Sequence, residues 1–341
     1  MRFVKKENIR AGMVLASAIY SRDGNCMLNS NVRITNEYAN RLQEMEISGI
    51  YIYDQLSADI HVEQALTRET IENIYNVTKR KDYDRCMFVA AALVNDLLAH
   101  IDDLPNVATL AAYDDTTFQH SINVAMYAAK LGIELGFTKE QLEQAAAAGL
   151  MHDIGKQGVD IGIIDKEGSL TPEEIELVRR HPTLGFEMVK DYISIPAVVK
   201  HAILCHHEDF DGNGYPNRYD FRSLRELDLV IHICDVYDAL ISKRSYKDAY
   251  SPNVALSFLM SKSGIMFKPE HVQSFLNCMF PYTTGMEVEL SDGRHVVIKE
   301  NYRGFPMCPD VITKRTMEVI SLRDNTDLMI TKILLFNFLC S

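Results

Sequence analysis

The seven cysteines of this chain are scattered, and no two of them form a CxxC pair. Their number is also odd, so they cannot all be paired within one molecule. Disulfide frameworks belong to oxidising compartments and are built from clustered, evenly counted cysteines. We therefore expect reduced thiols that are buried as small apolar residues, and a protein of the cytoplasm.

Long apolar runs are missing as well. A helix that spans a bilayer needs about 18 or more apolar residues, and the nearest candidate, residues 328–339, is interrupted by Lys332 and Asn337. The N-terminal sequence MRFVKKENIR lacks the apolar segment of a secretory signal. We expect no membrane span, and we expect residues 328–339 to supply a final strand or helix to a core.

Basic residues are not in excess. The 35 lysines and arginines face 47 acidic residues, which gives a net charge of −12. A protein that binds nucleic acid broadly needs a basic surface to displace counterions from the phosphates. Bulk nucleic acid is therefore excluded as a partner. An anionic substrate would need local positive charge, for which bound metal is the natural source.

The chain is long enough for two or three folded units, since it has 341 residues of which 47% are apolar and 24% charged. Residues 1–60 alternate short apolar segments with turn signals. Asp23-Gly24 predicts a hairpin turn, Thr35 begins a helical stretch, and residues 49–53 have strand character. These features predict a small α+β module.

The next segment predicts connecting helices across residues 61–105. Residues 61–102 contain no glycine or proline, and their apolar positions recur at helical spacing. Such helices either mediate dimerisation or contribute an apolar face to the core of their own chain. The spacing alone allows both, so a homodimer stays open.

Residues 106–281 have an almost entirely helical pattern. Thr138 with Gln141, and Thr171 with Glu174, have the spacing of capping boxes at two predicted helix starts. We therefore expect a helical bundle in this part of the chain.

Residues 282–341 change to strand signals, with apolar and polar positions alternating on both sides of the turn at residues 291–293. They predict a small β-rich cap. The predicted fold class is thus mainly α, a helical bundle flanked by a small α+β N-terminal module and a small β-rich C-terminal cap.

A histidine and an aspartate stand together at the end of a predicted helix. These are His152 and Asp153, and the helix stops at Gly155. An aspartate can bridge two cations with its two oxygens while the neighbouring histidine binds one of them. Lys156 falls on the same side as Asp153 and could hold a phosphate oxygen or protonate a leaving alkoxide. The pair would suit the shared corner of a binuclear metal site.

A second cluster lies in residues 200–216, KHAILCHHEDFDGNGYP. His206 and His207 end an apolar helical run and enter a glycine-rich turn, an arrangement typical of a metal site. Three further residues of ligand type could converge on them if their helices pack around a common centre: His120, His181 and Asp235.

Taken together, these stretches resemble the HD-GYP family, a bacterial branch of the HD metal-dependent phosphohydrolases. The resemblance covers residues 106–281, and the loop matches the DGxGYP pattern without a substitution. It implies an HD-type bundle that hydrolyses cyclic di-GMP, a bacterial second messenger. The loop residues that carry the match are Asp211, Gly212, Gly214, Tyr215 and Pro216.

Residue by residue, the resemblance implies two cations that share one aspartate. Asp153 and Lys156 would be the catalytic residues. One cation would be held by His120, His152, Asp153 and Asp235, and the other by Asp153, His181, His206 and His207. Substrate contacts would come from Lys156, Arg244, Lys247 and Tyr215.

Two features refine the expected chemistry. Five imidazoles among the ligands favour iron or manganese over magnesium, which prefers oxygen. Thr116 stands where some family members carry a glutamate that helps to hold a third metal. We therefore expect two cations and attack on phosphorus by a metal-activated hydroxide. Since the number of metals in the family is linked to whether hydrolysis stops at the linear dinucleotide, the resemblance implies pGpG as the product.

Two alternatives stay open. The first keeps the site and changes the substrate to another cyclic dinucleotide, such as cyclic GMP-AMP. The second is a module that binds cyclic di-GMP, or a protein partner through the GYP loop, with little turnover. Of the remaining polar residues, His232 and Asp238 are expected to be outer partners of the metal ligands, and His201 to lie off the metal-facing side of its helix.

Overall fold

The computed structural model describes residues 2–16, 18–20, 26–45, 49–53, 66, 68–99, 116–164, 166, 168–242, 250–282, 284–314 and 316–334. Within these ranges, no helix is long and apolar enough to cross a membrane.

The N-terminal part combines short strands with one helix. The strands are β1 (Arg2–Lys5), β2 (Val14–Leu15), β3 (Ile19–Tyr20), β4 (Cys26–Leu28) and β5 (Gly49–Tyr53), and the helix is α1 (Asn36–Glu44). β5 lies between β1 and β2 in an antiparallel sheet, while β3 pairs with β4. The Thr35 hydroxyl caps α1 by accepting from the Tyr38 amide at 3.1 Å. The predicted helix and strand are confirmed, whereas Asp23-Gly24 lies outside the described residues.

The middle of the chain is a helical bundle. Its helices are α2 (Arg68–Arg80), α3 (Cys86–Ala99), α4 (Thr116–Glu134), α5 (Lys139–Met151), α6 (Ile161–Ile164), α7 (Pro172–Val178), α8 (His181–Val189), α9 (Ala197–Cys205), α10 (Glu226–Ile241), α11 (Pro252–Ser261) and α12 (Pro269–Cys278). Both predicted capping boxes are present, at Thr138 and Thr171.

The helices α2 and α3 contribute to the same core as the rest of the bundle. Val77, Val89 and Leu93 are fully buried in a cluster that continues through α4, α5 and α10. Their apolar faces therefore serve packing within the chain, and a role in dimerisation stays a prediction.

A glycine allows α4 and α5 to approach closely. A Cβ atom on Gly149 would lie 2.5 Å from the Cα atom of Ala125, a distance that real side chains do not adopt. The contact brings the start of α4 next to the end of α5, where His152 lies.

The C-terminal part is an antiparallel sheet of β6 (Glu287–Leu290), β7 (His295–Glu300), β8 (Asp310–Thr313), β9 (Val319–Ser321) and β10 (Ile330–Ile333) in the order β10-β6-β7-β8-β9. The mainly α fold with its two flanking parts is thereby confirmed. β10 supplies the strand expected within residues 328–339, of which 335–339 lie outside the described residues. The exact domain boundaries stay a prediction.

Candidate metal centre

The predicted ligands come together where several helices of the bundle begin or end. His120 lies on α4 and Asp235 on α10, while the other residues stand at helix ends. His152 follows α5, His181 opens α8, and His206 and His207 follow α9, with Asp153 directly after His152. Residues more than a hundred positions apart thus meet because their helices converge.

Three of the imidazoles are oriented by helix carbonyl groups. The Nδ1–H group of His152 donates to the Gly149 carbonyl at 2.8 Å, that of His181 to Val178 at 2.7 Å, and that of His206 to Ile203 at 2.8 Å. The last carbonyls of a helix have no partner within the helix, so they accept these bonds. Each bond fixes the tautomer and leaves the Nε2 lone pair facing the centre.

Two of these lone pairs face each other directly. His181 Nε2 lies 3.1 Å from His206 Nε2. Burial lowers the pKa of His181 to about 4. The pKa of His206 lies well below its usual range, mainly because of burial and further because of the neighbouring His207. Both rings are therefore neutral near pH 7, and no proton lies between the two nitrogens. A cation placed there would relieve their repulsion.

Asp153 presents its two oxygens to two different groups of imidazoles. Oδ1 lies 3.3 Å from His181 Nε2, whereas Oδ2 lies 3.4 Å from His152 Nε2 and 3.6 Å from His120 Nε2. Oδ1 is buried and has no hydrogen-bond partner among the residues that the structure describes. This is the geometry expected of a carboxylate shared by two cations.

Asp153 is ionised despite its burial. Burial raises its pKa, but Lys156 and His152 outweigh that effect and hold the pKa well below its usual range. Lys156 Nζ lies 2.5 Å from Asp153 Oδ2. The lysine therefore lies at the edge of the ligand cluster, on the same side as Asp153, as predicted from the sequence.

Asp235 also faces both groups of imidazoles. Its Oδ1 is 3.1 Å from His120 Nε2 and 3.7 Å from His152 Nε2, and its Oδ2 is 3.8 Å from His207 Nδ1. Burial raises its pKa, and the hydrogen bond from His120 together with the nearby imidazoles outweighs this and lowers it well below its usual range.

The donor atoms form two compact sets. In one set His181, His206 and His207 offer atoms that lie within 4.8 Å of one another, and in the other His120, His152 and Asp153 do the same. A buried set of imidazole nitrogens and carboxylate oxygens fits divalent transition-metal ions. The residues present therefore fit the two-cation centre that the resemblance implies.

His120 is oriented by a carboxylate from α10. Its Nδ1–H group donates to Asp238 Oδ2 at 2.6 Å. Asp238 also accepts bonds from Asn123 at 2.9 Å and Ser242 at 3.1 Å. Burial lowers the pKa of His120, but the bonds to Asp235 and Asp238 outweigh it and raise the pKa to about 9. The sequence predicted Asp238 as an outer partner of the metal ligands but did not predict Asn123. The position of Asn123, one helical turn after His120, was the signal that could have indicated it.

The GYP loop folds back onto His207. The Tyr215 amide donates to the His207 carbonyl at 3.0 Å, and the Tyr215 ring stacks on the His207 imidazole with 4.7 Å between ring centres. A Cβ atom on Gly214 would lie 2.4 Å from the His207 carbonyl oxygen, so only glycine permits this approach. Gly212 adopts a left-handed φ of 83°.

Two carboxylates stabilise the loop without joining the ligand cluster. Asp211 Oδ1 accepts from the Asn213 amide at 3.0 Å. Glu208 is buried and accepts from the amides of Asn217 at 2.6 Å and Tyr219 at 3.1 Å. Pro216 follows Tyr215 through a cis peptide bond. The role of Glu208 was not anticipated from the sequence, although it directly follows the two histidines.

His232 and His201 both lie outside the ligand cluster. The Nδ1–H group of His232 donates to the His206 carbonyl at 2.8 Å, and its Nε2 lies 3.1 Å from Asp209 Oδ1. His201 instead donates from Nδ1 to Asp228 Oδ2 at 2.8 Å. His232 thus contacts the backbone of one ligand, as an outer partner would.

Some of the predicted substrate residues cannot be placed. Arg244 and Lys247 lie outside the described residues, as does the side chain of Thr116. The structure places another positively charged side chain near the GYP loop, because the guanidinium carbon of Arg179 lies 5.4 Å from the centre of the Tyr215 ring. Sequence reasoning missed Arg179, which is distant from Tyr215 in the chain.

Comparison with known proteins gives a consistent result. Residues 103–270 match the family model described as HD domain. The cyclic di-GMP phosphodiesterase PA4108 of Pseudomonas aeruginosa is 34% identical over 226 residues, which cover 65% of this chain and 54% of the relative. A 3'3'-cGAMP-specific phosphodiesterase of Vibrio cholerae is 32% identical over 47% of this chain and 31% of the relative. The chain therefore spans about half of the first relative and less of the second.

A solved structure shares the fold. Bd1817, an HDG"Y"P protein from Bdellovibrio bacteriovorus, aligns with a TM-score of 0.53 at 18% identity. The alignment covers 80% of this chain and 97% of that one. It supports the HD-type arrangement of the bundle.

Proposed function

Residues 103–270 belong to the HD domain family, and from this premise we propose that the protein is a metal-dependent phosphodiesterase that hydrolyses cyclic di-GMP. The observation that carries the proposal is the position of Asp153, whose two oxygens face two sets of buried imidazoles with no protein donor at Oδ1 among the described residues. The identity to the Pseudomonas aeruginosa enzyme supports the choice of substrate.

The cations would be held as the resemblance implies. His120, His152, Asp153 and Asp235 would hold one, and Asp153, His181, His206 and His207 the other. The five imidazoles favour iron or manganese. When bound, two such ions supply positive charge to a phosphate and lower the pKa of a water molecule.

The chain's own residues would orient and neutralise the substrate. Lys156 is about a quarter exposed, at 23%, while its ammonium group contacts Asp153 Oδ2, so it can exchange that contact for a phosphate oxygen. The buried Asp238 orients His120, and helix carbonyls fix the tautomers of His152, His181 and His206. Thr116 supplies no carboxylate for a third metal, so we propose two cations. In the family that the chain resembles the number of metals is linked to the product, and we therefore propose pGpG as the product.

The guanine bases would be bound at the GYP loop. The Tyr215 ring, stacked on His207, offers a surface next to the centre, and Arg179 lies over that ring. A guanine can stack on an aromatic ring or a guanidinium plane. Arg244 and Lys247 would add contacts to phosphate or to a guanine edge.

Three further properties belong to the proposal. The isolated cysteines support a cytoplasmic location. The exposed Phe221, which stacks on Phe210 at 5.0 Å beyond the GYP loop, is a candidate contact for a protein partner. A homodimer through the connecting helices stays a hypothesis.

The test is an assay of anaerobically purified protein with added Mn²⁺ or Fe²⁺ on cyclic di-GMP, with chromatographic identification of the product. We expect pGpG in a metal-dependent reaction. Cyclic GMP-AMP is the second candidate substrate, which the Vibrio cholerae relative supports, and preferential cleavage of it would replace the first. Binding of cyclic di-GMP without cleavage by metal-loaded protein would contradict the enzyme and leave a binding module.

A further inference from the structure

His207 is held differently from the other imidazoles of the candidate centre. Each of the other four donates from Nδ1 to a helix carbonyl or to Asp238. Within the described residues His207 has no bond of this kind, since its Nδ1 lies 3.8 Å from Asp235 Oδ2, too far for a hydrogen bond. Its position therefore depends on the Tyr215 ring that stacks on it and on its own backbone.

A buried histidine of α10 binds the chain on both sides of His207. This residue is His232, which is only 2% exposed. Its Nδ1–H group donates to the His206 carbonyl at 2.8 Å, and its Nε2 lies 3.1 Å from Asp209 Oδ1. Both partners are oxygen acceptors, so the ring donates to each of them. The residue before His207 and the second residue after it are thus bound to one side chain.

His232 is itself fixed in the bundle. It lies three residues before Asp235, on the same face of α10, and its ring packs against the buried Phe267 with 5.1 Å between ring centres. The GYP loop in turn closes over Asp209, because a Cβ atom on Gly214 would lie 2.3 Å from the Asp209 amide nitrogen. The contacts of His232 therefore join this segment to the helix that supplies another ligand.

We propose that His232 is a positioning residue for one cation, the one assigned to His206 and His207, and that it acts through the His206 carbonyl and Asp209. The inference rests on the two-cation centre proposed above and assigns control of one of its ions to a residue outside the ligand set.

The reason is the order that His232 imposes on its partners before any ion binds. Without this ring, residues 206–209 lose their side-chain bonds to α10, and the His207 imidazole has to be ordered at the moment of metal binding. Ordering a segment on binding costs free energy that a preorganised site does not lose. The ion assigned to His206 and His207 should therefore bind more weakly. The ion assigned to His120 and His152 uses neither residue and should bind as before.

Metal titration tests this role without relying on turnover. Metal-free full-length protein is titrated with Mn²⁺, and the free ion is measured by its electron paramagnetic resonance signal, which gives a Kd for each bound ion. His232→Asn keeps an amide donor near the position of Nδ1 and loses the contact with Asp209. Loss of an outer partner of a metal ligand weakens metal binding by about 10–100-fold. We expect the Kd of one Mn²⁺ to rise by this factor and that of the other to stay unchanged.

Further variants separate positioning from a general loss of structure. Asp209→Ala removes the same contact from a side chain that is 20% exposed, and it should weaken the same ion. The double variant should bind that ion no more weakly than His232→Asn alone, because the contact is lost only once. Excess Mn²⁺ should restore the turnover of His232→Asn. The matched control is His201→Asn, which alters a histidine paired with Asp228 outside the ligand set and should keep both ions.

The outcomes distinguish this role from the proposed function. Two tightly bound Mn²⁺ in both His232→Asn and Asp209→Ala, or equal weakening of both ions, would overturn the role of His232 alone. Unmodified protein that binds two Mn²⁺ without cleaving cyclic di-GMP would contradict the phosphodiesterase and leave this readout intact. Unmodified protein that binds fewer than two would refute the centre and the role of His232 with it.

Discussion

Asp153 is the residue on which both proposed cations depend. It is ionised and buried, and its oxygens are divided between His181 on one side and His152 with His120 on the other. Each imidazole ligand, in contrast, belongs to one set of donors. Removing the Asp153 carboxylate should therefore affect both cations at once, whereas removing a single imidazole should weaken one.

Asp153→Ala should lose paired metal binding and activity together. Loss of an outer partner of a metal ligand costs about 10–100-fold, so loss of the shared ligand should lower kcat by more than 100-fold. Elemental analysis and turnover measured on the same preparation check this. Asp191→Ala, which removes an exposed carboxylate at the end of α8, is the matched control. Two metals retained in Asp153→Ala would refute the bridging assignment.

Arg179 should contribute to substrate binding rather than to the chemical step. Its guanidinium group lies over Tyr215 and is also paired with Glu176 at 2.9 Å. An exposed contact between a cation and an aromatic ring contributes about 1 kcal/mol, so Arg179→Ala should raise KM about fivefold with kcat nearly unchanged. The neighbouring exposed Arg180→Ala is the control. An unchanged KM would exclude Arg179 from the substrate site.

The helix α10 is held in place by a charged cluster at its first residue. Glu226 accepts from Lys268 at 2.9 Å and from His271 Nε2 at 2.7 Å, so it connects α10 to the start of α12. The hydrogen bond from His271 lowers the pKa of Glu226 from 4.5 to about 2. Burial opposes this shift, and Lys268 adds to it. Since α10 also carries Asp235 and Asp238, this connection helps to position the centre.

Glu226→Gln should destabilise the protein in a pH-dependent way. The pKa of Glu226 is depressed on folding, so its stabilisation is complete above about pH 4.5 and is lost as the pH falls toward 2. Because Glu226 is half exposed and screened, we expect a loss of about 1 kcal/mol at pH 7. Urea unfolding at pH 7 and pH 3 should show a smaller difference at pH 3. Exposed Glu270→Gln is the control, and an effect independent of pH would contradict the assignment.

The helix ends could be predicted because their signals are local. The capping boxes at Thr138 and Thr171 and the cap at Thr35 each depend on a few adjacent residues, and all three are present. The convergence of helix ends on one centre is not a local property. It was anticipated only through the family resemblance, since spacing along the chain does not report which helices cross.

Other features could not be predicted because they depend on packing between distant elements. The contact of Arg179 with Tyr215 joins α7 to the GYP loop. Cys205 was interpreted as a core residue, and it is buried, but its neighbour across helices is Asp228. The choice between core and dimer faces for α2 and α3 also required the packing.

The molecule as a whole combines an acidic net charge with a pocket of acceptor groups. The net charge is −12, and Asp153 and Asp235 remain ionised among the imidazoles inside the bundle. The helices α4, α5, α8, α9 and α10 meet at this pocket, so cations there would hold together elements from most of the bundle. Metal binding and folding should therefore be coupled.

Removal of metal should lower the thermal stability of the protein. A ligand present at about 100 times its Kd stabilises the folded state by about 2.7 kcal/mol, and each kcal/mol shifts the Tm of a protein this large by about 2–4 °C. We expect EDTA to lower Tm by about 5–10 °C, and Mn²⁺ to restore it. Asp153→Ala should show little of this shift. An equal shift in that variant would mean that the stabilising metal binds elsewhere.

The number of iron and manganese atoms per chain tests the two-cation centre most directly. It is best measured by elemental analysis of the anaerobically purified protein. Two atoms per chain are expected, because Asp153 and Asp235 lie between two sets of imidazoles. A value of zero or one, in protein that folds and has been offered both metals, would contradict the binuclear centre.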